Sequence, residues 1–473
     1  MGFSREINRL LVGLLFMFGI VALSAAYWSI TGPDTILRRA DNPRRVEAER
    51  AIERGALVDR NDHVLAYTES ADGIVTRRYR YPAMYSALGY YSYRYGSSGI
   101  EGAYDALLSG TDQVTSTGDA LLNGLMHHPQ VGSDARLTLD LEVQEAVAAA
   151  LAGQTGAVIV IGVPNGEVLA LASLPTYDPN TLEENWDALI GAPGNPFFNR
   201  ALQGQYQPGA ALQTPLLAAA MLVNIPLETV DASATQPVPL GDLNLACAVR
   251  LPELELTLSE AYAFACPRAF ADILDPIGVD TLNTVLMTFR LNESPLLAGF
   301  EPPPTSTPST LRLTPDNLLE TALGQGQFTV TPLSMALMAA GIVNDGNAPQ
   351  PYLLQQSRQP NGAWIDVRTA RASLPITTTN SARRLQDLMR GAVAFGAAQN
   401  AGRPGIDIGG HASIAYSGEG SQAWFVGFAT FGGANGAAVA VILENSDDPG
   451  RAADIGGTAL AAAQAALLGQ PSS

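Results

Sequence analysis

No lysine is available in this chain as nucleophile or base. Its 27 lysine-plus-arginine positions are all arginine, and a guanidinium does not give up its proton in a protein. Every mechanism that needs a lysine amine is therefore excluded. Four histidines remain, His63, His127, His128 and His411; they are too scattered to suggest a metal set or a Ser/His/Asp arrangement, and surface or loop positions are expected for them. No metal and no cofactor is expected. The two cysteines, Cys247 and Cys266, make no disulfide framework. In an exported domain they could form one bridge; taken alone, Cys266 reads as a small buried hydrophobe rather than a reactive thiol, because no lysine or histidine lies near it in sequence.

The elements that must position these groups begin with a membrane segment. Leu10 to Ile30 is uncharged and uninterrupted, and at about 1.5 Å per residue it is long enough to cross a hydrocarbon core of roughly 30 Å. Arg5 and Arg9 precede it, and Tyr27 and Trp28 stand where an interfacial aromatic belt lies. A retained anchor is expected over a cleaved signal peptide, for which Ala22-Leu23-Ser24 and Ser24-Ala25-Ala26 offer small residues. The arginines just after the span (Arg38, Arg39, Arg44, Arg45) outnumber those before it. Long domains nevertheless cross largely regardless of charge, so the C-terminal part is placed outside the cell membrane. With 473 residues, two folded parts are expected. The net charge of −18 excludes a nucleic acid partner, whose phosphates need a basic footprint.

Beyond the anchor, Thr31 to Glu53 is arginine-rich and helix-compatible, and Arg54 to Thr68 reads as strand, turn at Asn61-Asp62, strand. Tyr79 to Tyr95 is tyrosine-rich and reads as packing surface or loop. From Ala135 a short strand, a cap at Asp140 and an apolar-faced helix follow. Ala157 to Val163 and Val168 to Ala172 form a hairpin through Pro164-Asn165-Gly166. Helices are expected at Pro215 to Asn224, Ser259 to Ile273, Pro332 to Asn344 and Gly457 to Leu468, strands at Ala423 to Thr430 and Ala437 to Glu444, and a proline-rich loop at Glu301 to Pro315. Strands at both ends of a domain with helices between them imply a sheet whose edges come from distant sequence.

These landmarks, in this order, resemble the class B penicillin-binding proteins, membrane-anchored D,D-transpeptidases that cross-link peptidoglycan. DNPRRVEAE, RGALVDRNDHVLA, LGYYSYRYGSSGIEGAYDALLSG, LTLDLEVQ, GAVIVIGVPNGEVLALASLPTYDPN, ALGQGQFTVTPLSMA and AWFVGFA carry the resemblance over nearly the whole chain. It implies a mixed α+β fold: residues 1–9 a cytoplasmic tail, 10–31 the transmembrane anchor, 32–135 a juxtamembrane and pedestal region, and 136–473 a transpeptidase-like domain with an antiparallel sheet flanked by helices.

Three motifs carry the chemistry of that family, and each is altered here. Ser-x-x-Lys reads PGAALQ: Ala210 has no oxygen, and Gln213 is an amide that takes no proton at neutral pH. Thr214 falls one helical step beyond, on another face. Ser-x-Asn reads Ala265-Cys266-Pro267, with neither a hydroxyl relay nor an amide. Lys-Thr-Gly is expected at Tyr416, Ser417 and Gly418, followed by Glu419, whose charge would repel a substrate carboxylate. No catalytic side chain is intact at these positions. The expectation is thus a non-catalytic homologue, not an enzyme, that serves as scaffold or regulator of peptidoglycan synthesis. Its expected partners are the membrane, a polytopic peptidoglycan glycosyltransferase or other cell-wall protein, and noncovalent muropeptide. The alternative is an active D,D-transpeptidase or penicillin-binding enzyme with a displaced nucleophile, Ser417 with Tyr416 or His411 as base.

Overall fold

The computed structural model describes residues 3–32, 52–71, 74–113, 131–300, 313–367, 372–418, 420–433 and 435–469. Most of the arginine-rich segment after the anchor, most of the proline-rich loop, His127, His128 and Glu419 lie outside them.

The N-terminal apolar run forms a single helix, Phe3–Gly32. Among the described residues, only its Ile7–Ala25 portion is long and apolar enough to cross a membrane, and its side chains are exposed rather than packed on the rest of the protein. That exposure suits a single-pass anchor, whose apolar surface is meant for lipid.

The central sheet has five strands, Gly156–Val163 (β1), Val168–Leu174 (β2), Asp407–Ser417 (β3), Gly420–Thr430 (β4) and Gly436–Glu444 (β5), in the antiparallel order β3-β4-β5-β1-β2. As the sequence pattern implied, the two edges come from far apart in the chain, and β5 pairs with β1 from Gly436 opposite Val163 to Leu443 opposite Gly156. β1 and β5 read as nearly continuous apolar runs because helices cover both of their faces. Leu141–Leu151 (α1) and Pro449–Leu468 (α7) pack on one side, and Pro332–Val343 (α5) with Thr379–Phe395 (α6) on the other. Asp140 caps α1 as expected, its carboxylate accepting from the amides of Glu142 and Val143.

The expected helix from Ser259 to Ile273 is two helices, Leu258–Ala263 (α3) and Pro267–Asp272 (α4), because proline sets the break. Pro267 has no amide to donate and is tolerated at the start of a helix, while the residue before it is driven out of helical geometry. Cys266 is accordingly extended at φ −80°, ψ 122°, and Ala265 takes a left-handed φ of 52°. A disulfide ties Cys266 to Cys247 and fixes the break to the preceding loop. Cys266 is as buried as the hydrophobe reading requires, but its sulfur is bridged.

A second sheet of six strands carries the pedestal. Its order is Ile365–Asp366, Leu354–Arg358, Asp134–Leu137, Leu57–Val58, Val64–Ala71 and Ile74–Tyr79, so strands from both sides of residue 135 share one sheet. Behind it, Arg54 Nη2 and Arg77 Nε donate to the two carboxylate oxygens of Glu101 at 2.9 and 2.6 Å. Glu101 is wholly buried and both arginines nearly so. The tyrosine-rich stretch is packing surface: Tyr90 and Tyr95 join Tyr177, Trp186 and Phe197 in one aromatic cluster, with Tyr95 stacked on Trp186 at 3.9 Å.

Two stability predictions follow from buried constraints. Burial opposes the charge on Glu101, but Arg77 and Arg54 outweigh it and hold the carboxyl below its ordinary value. The stability this supplies is complete above the unfolded value of about 4.3 and is lost as pH falls through the lower folded value. Glu101→Gln leaves the buried guanidinium of Arg77 without a carboxylate and Arg54 with Asp105 alone, and is expected to cost about 3–5 kcal/mol in denaturant unfolding at pH 7, and less at pH 3. An unchanged midpoint at pH 7 would refute the role. Replacing Cys247 and Cys266 by serine reopens a short loop and is expected to cost about 3 kcal/mol, measured in the same way under oxidising conditions.

Candidate functional site

The site is built where a turn, a helix break and an edge strand meet. Gly209–Leu212 forms a 3-10 turn that runs directly into helix Gln213–Leu222 (α2). The segment before it is pinned by Trp424 of β4, whose indole N–H donates to the carbonyl of Gln207 at 2.9 Å. Gly209 has φ +54°, and a Cβ there would stand 2.3 Å from the carbonyl oxygen of Ile414 and 2.7 Å from Ala415. Its amide donates to Gly324 O at 2.8 Å. Only a glycine lets the turn lie this close to β3. Gly209, Ala211 and Leu212 are buried and Ala210 alone is half-exposed, so Ala210 is the residue the turn presents outward.

Gln213, at the head of α2, is buried and donates from Nε2 to the carbonyl of Cys266 at 3.2 Å. This contact joins the first altered segment to the second, so Ala210 and Gln213 share a seam with Ala265, Cys266 and Pro267. Thr214 points away from the turn's open side, as its helical step implied; its hydroxyl bonds the phenol of Tyr262 on α3 at 2.9 Å. Burial raises the Tyr262 phenol far above its ordinary value, against the smaller opposing effect of Thr214.

The third segment differs from the sequence expectation. The β3 residues that face Gly209 are Ile414 and Ala415. Tyr416, Ser417 and Gly418 lie beyond them at the hairpin end: Ser417 pairs with Gly420, and Gly418 is exposed at φ +58°. That glycine serves the turn. The Tyr416 amide donates to Gln325 Oε1 at 3.3 Å, and its side chain packs against the apolar cluster of Val238, Leu245 and Leu323.

Sequence reasoning offered His411 only as a base for Ser417, expected it on a surface or loop, and did not single out Ser413. His411 is 1% exposed in the middle of β3, not on a surface or loop. Its ring stacks on Tyr262 with centroids 4.4 Å apart, and Nε2 lies 3.1 Å from the Tyr262 carbonyl oxygen. A carbonyl can only accept, so Nε2 carries the proton and Nδ1 is bare. Burial lowers its pKa to about 4, against the Tyr262 hydrogen bond, which works the other way. Ser413, wholly buried, has no hydrogen-bond partner at Oγ; neither does His411 Nδ1 or Gln213 Oε1. The signal was present in the sequence as two polar residues at i and i+2 in a run otherwise made of glycine, alanine and isoleucine.

Comparison with known proteins gives this geometry its context. Residues 156–466 match the penicillin binding protein transpeptidase domain, and residues 54–134 the penicillin binding protein A dimerisation domain. Peptidoglycan D,D-transpeptidase PbpA of Mycobacterium tuberculosis is 29% identical over 99% of this chain and 100% of its own length. Peptidoglycan D,D-transpeptidase MrdA of Escherichia coli K12 is 26% identical over 56% of this chain and 45% of its own length. Among solved structures, penicillin-binding protein A from M. tuberculosis as an imipenem acyl-enzyme complex superimposes with a TM-score of 0.76 at 29% identity, over 88% of this chain and 99% of that one. The expectation of a non-enzyme is overturned by these relatives, which are named as D,D-transpeptidases and, in the solved complex, carry an acyl group. The altered side chains argued against catalysis one position at a time, whereas the likeness to catalytic relatives runs from end to end. The chain belongs to the penicillin-binding protein transpeptidase family and is a homologue of the class B peptidoglycan transpeptidases, associated with the membrane and the cell-wall machinery.

Proposed function

We propose that this chain is a membrane-anchored penicillin-binding enzyme that carries out D,D-transpeptidase chemistry on peptidoglycan stem peptides, with its acyl group held on a hydroxyl away from position 210, where Ala210 has none. The observation that carries this reading is the likeness over nearly the whole chain to a protein solved as a β-lactam acyl-enzyme. Ala210 and Gln213 stand at the first motif of the family, and Ala265 and Pro267 at the second; these four side chains supply shape but no proton transfer. The third motif is assigned to the His411–Ala415 part of β3, in place of Tyr416–Gly418, because that part lies against the turn.

In this reading residues 1–9 are cytoplasmic, 10–31 form the anchor, and the pedestal (32–135) and transpeptidase-like domain (136–473) stand outside, facing peptidoglycan. That orientation also gives a polytopic peptidoglycan glycosyltransferase an apolar helix to pack against. Protease added to intact spheroplasts is expected to digest the C-terminal domain; protection of that domain would reverse the topology.

The chemistry is tested by incubating the detergent-solubilised full-length protein with fluorescent penicillin. A heat-stable band on a denaturing gel that approaches one label per chain is expected. Since neither lysine nor a serine at 210 assists, labelling should be slower than that of M. tuberculosis PbpA run beside it. No band after hours at saturating label, with PbpA labelled, would sink the proposal.

A further inference from the structure

Between the pedestal and the transpeptidase-like domain lies a cavity of about 480 Å³, within the range of roughly 300–1,000 Å³ typical of ligand sites. None of the 209–213 turn, the Ala265-Cys266-Pro267 break or β3 lines it, so it is separate from the seam those segments form. Its walls come from three stretches of chain: 86–103 of the pedestal, 173–203 from β2 to the short helix Arg200–Gln203, and 299–300. These stretches are tied to one another. The Ser173 amide donates to Ser86 Oγ at 3.3 Å, and the Tyr104 hydroxyl donates to the carbonyl of Ala298 at 3.2 Å. The cavity is thus formed in advance of any ligand. Gln203 and Gly299 are exposed and most of the other lining residues half-buried, so it opens to solvent.

The chemistry of the lining is narrow. In a chain of net charge −18, no Asp, Glu, Arg or His stands among the described lining residues. A charged ligand would give up its hydration there with no countercharge in exchange, so the cavity suits a neutral one. Tyr177, Phe197, Phe198 and Phe300 supply aromatic surface, and the rings of Tyr177 and Phe197 lie 4.8 Å apart between centroids. The polar side chains are hydroxyls and amides whose oxygens are already engaged. Asn199 Oδ1 accepts from the amides of Ala201 and Leu202, Gln203 Oε1 from the amide of Asn199, and Ser86 Oγ from that of Ser173. What remains are donors: Asn199 Nδ2, Gln203 Nε2 and the Ser86 hydroxyl proton. None of the three meets an acceptor among the described residues.

We infer that this cavity binds a neutral saccharide of the N-acetylated kind that makes the glycan strand of peptidoglycan. A pyranose ring is apolar on its C–H faces and polar around its rim. It can therefore lay a face on an aromatic wall while its hydroxyl and acetamido oxygens accept from the free amides and hydroxyl. Each hydroxyl oxygen carries two lone pairs, so such a rim is rich in acceptors. A neutral peptide brings one N–H for every carbonyl and matches a donor-rich lining less well. The inference goes beyond the acyl-transfer reading and does not depend on it, because none of the residues that line the cavity takes part in that chemistry.

The test is isothermal titration of the detergent-solubilised full-length protein with the neutral N-acetylglucosamine trimer. It is run beside Ser97→Trp, which fills the cavity, and Gln203→Ala, which removes one donor, with the folding of both checked by thermal melting. Saturable binding is expected, about tenfold weaker in Gln203→Ala and lost in Ser97→Trp. No saturable binding by the unaltered protein overturns the inference, as does binding that both folded variants leave unchanged. A neutral capped tripeptide of alanine that binds as tightly as the trimer overturns the saccharide assignment.

Discussion

The site depends on the close approach of one backbone to another. Gly209 lies so near Ile414 and Ala415 that a single added carbon would collide with the strand, and the carbonyl of Gly209 in turn sits where a side chain on Gly324 would be. Two glycines with positive φ, one making room for β3 and the other for the backbone of Gly209, press the turn onto β3 and set the position of α2. From that contact the remaining distances follow. Gln213 is carried to Cys266, Thr214 to Tyr262, and Tyr262 to His411. The disulfide and Pro267 complete the arrangement from the other side, because they fix the helix break whose carbonyl Gln213 reads. A chain can change every catalytic side chain on such a frame without losing the frame, since backbone approach and not side-chain identity holds it together.

Buried polar groups are met by different solutions, and two places show the contrast. In the pedestal, Glu101 enters the interior ionised and is met on both oxygens by guanidiniums, and the net effect is a carboxyl that gives up its proton more readily than usual. In the transpeptidase-like domain, His411 has no carboxylate against it and is buried neutral. The first solution suits a structural joint, because paired charges at fixed geometry tolerate no slack. The second leaves an imidazole that burial makes harder to protonate, neutral across the physiological range.

Much of the fold was legible in the sequence because its signals are local or periodic. The Asp140 cap, the 164–166 turn, the long apolar strands and the N-terminal span each announce themselves within a short window. The helix boundary at the first altered segment was legible for the same reason: PGAALQ leads into a helix, whereas Ala265-Cys266-Pro267 lies between two. Two things were not. The split of the 259–273 helix was missed because alanine-rich sequence favours helix on both sides, and the propensity signal hid the breaking effect of Pro267 on Cys266. The third segment is expected at Tyr416, Ser417 and Gly418, whereas the β3 residues beside Gly209 are Ile414 and Ala415. Gly418 is needed by the hairpin turn, while the close approach in this fold is supplied from the other side by Gly209. Whether a glycine serves a turn or a contact is decided by its neighbours in space, which a linear sequence does not display.

The absence of lysine then has a specific consequence for the electrostatics of the cleft. In a lysine-based site the ammonium both manages the proton and attracts the substrate carboxylate, so one residue serves chemistry and binding. Arginine could restore the attraction but not the proton transfer, since it stays protonated. His411, buried and neutral, brings no standing charge either. A cleft organised in this way gives up long-range attraction for an anionic substrate, and the chain's net charge of −18 works further against it. Recognition must then rest on short-range shape and backbone hydrogen bonds along β3, an edge strand that has β4 on only one side and so keeps a row of donors and acceptors for an extended peptide.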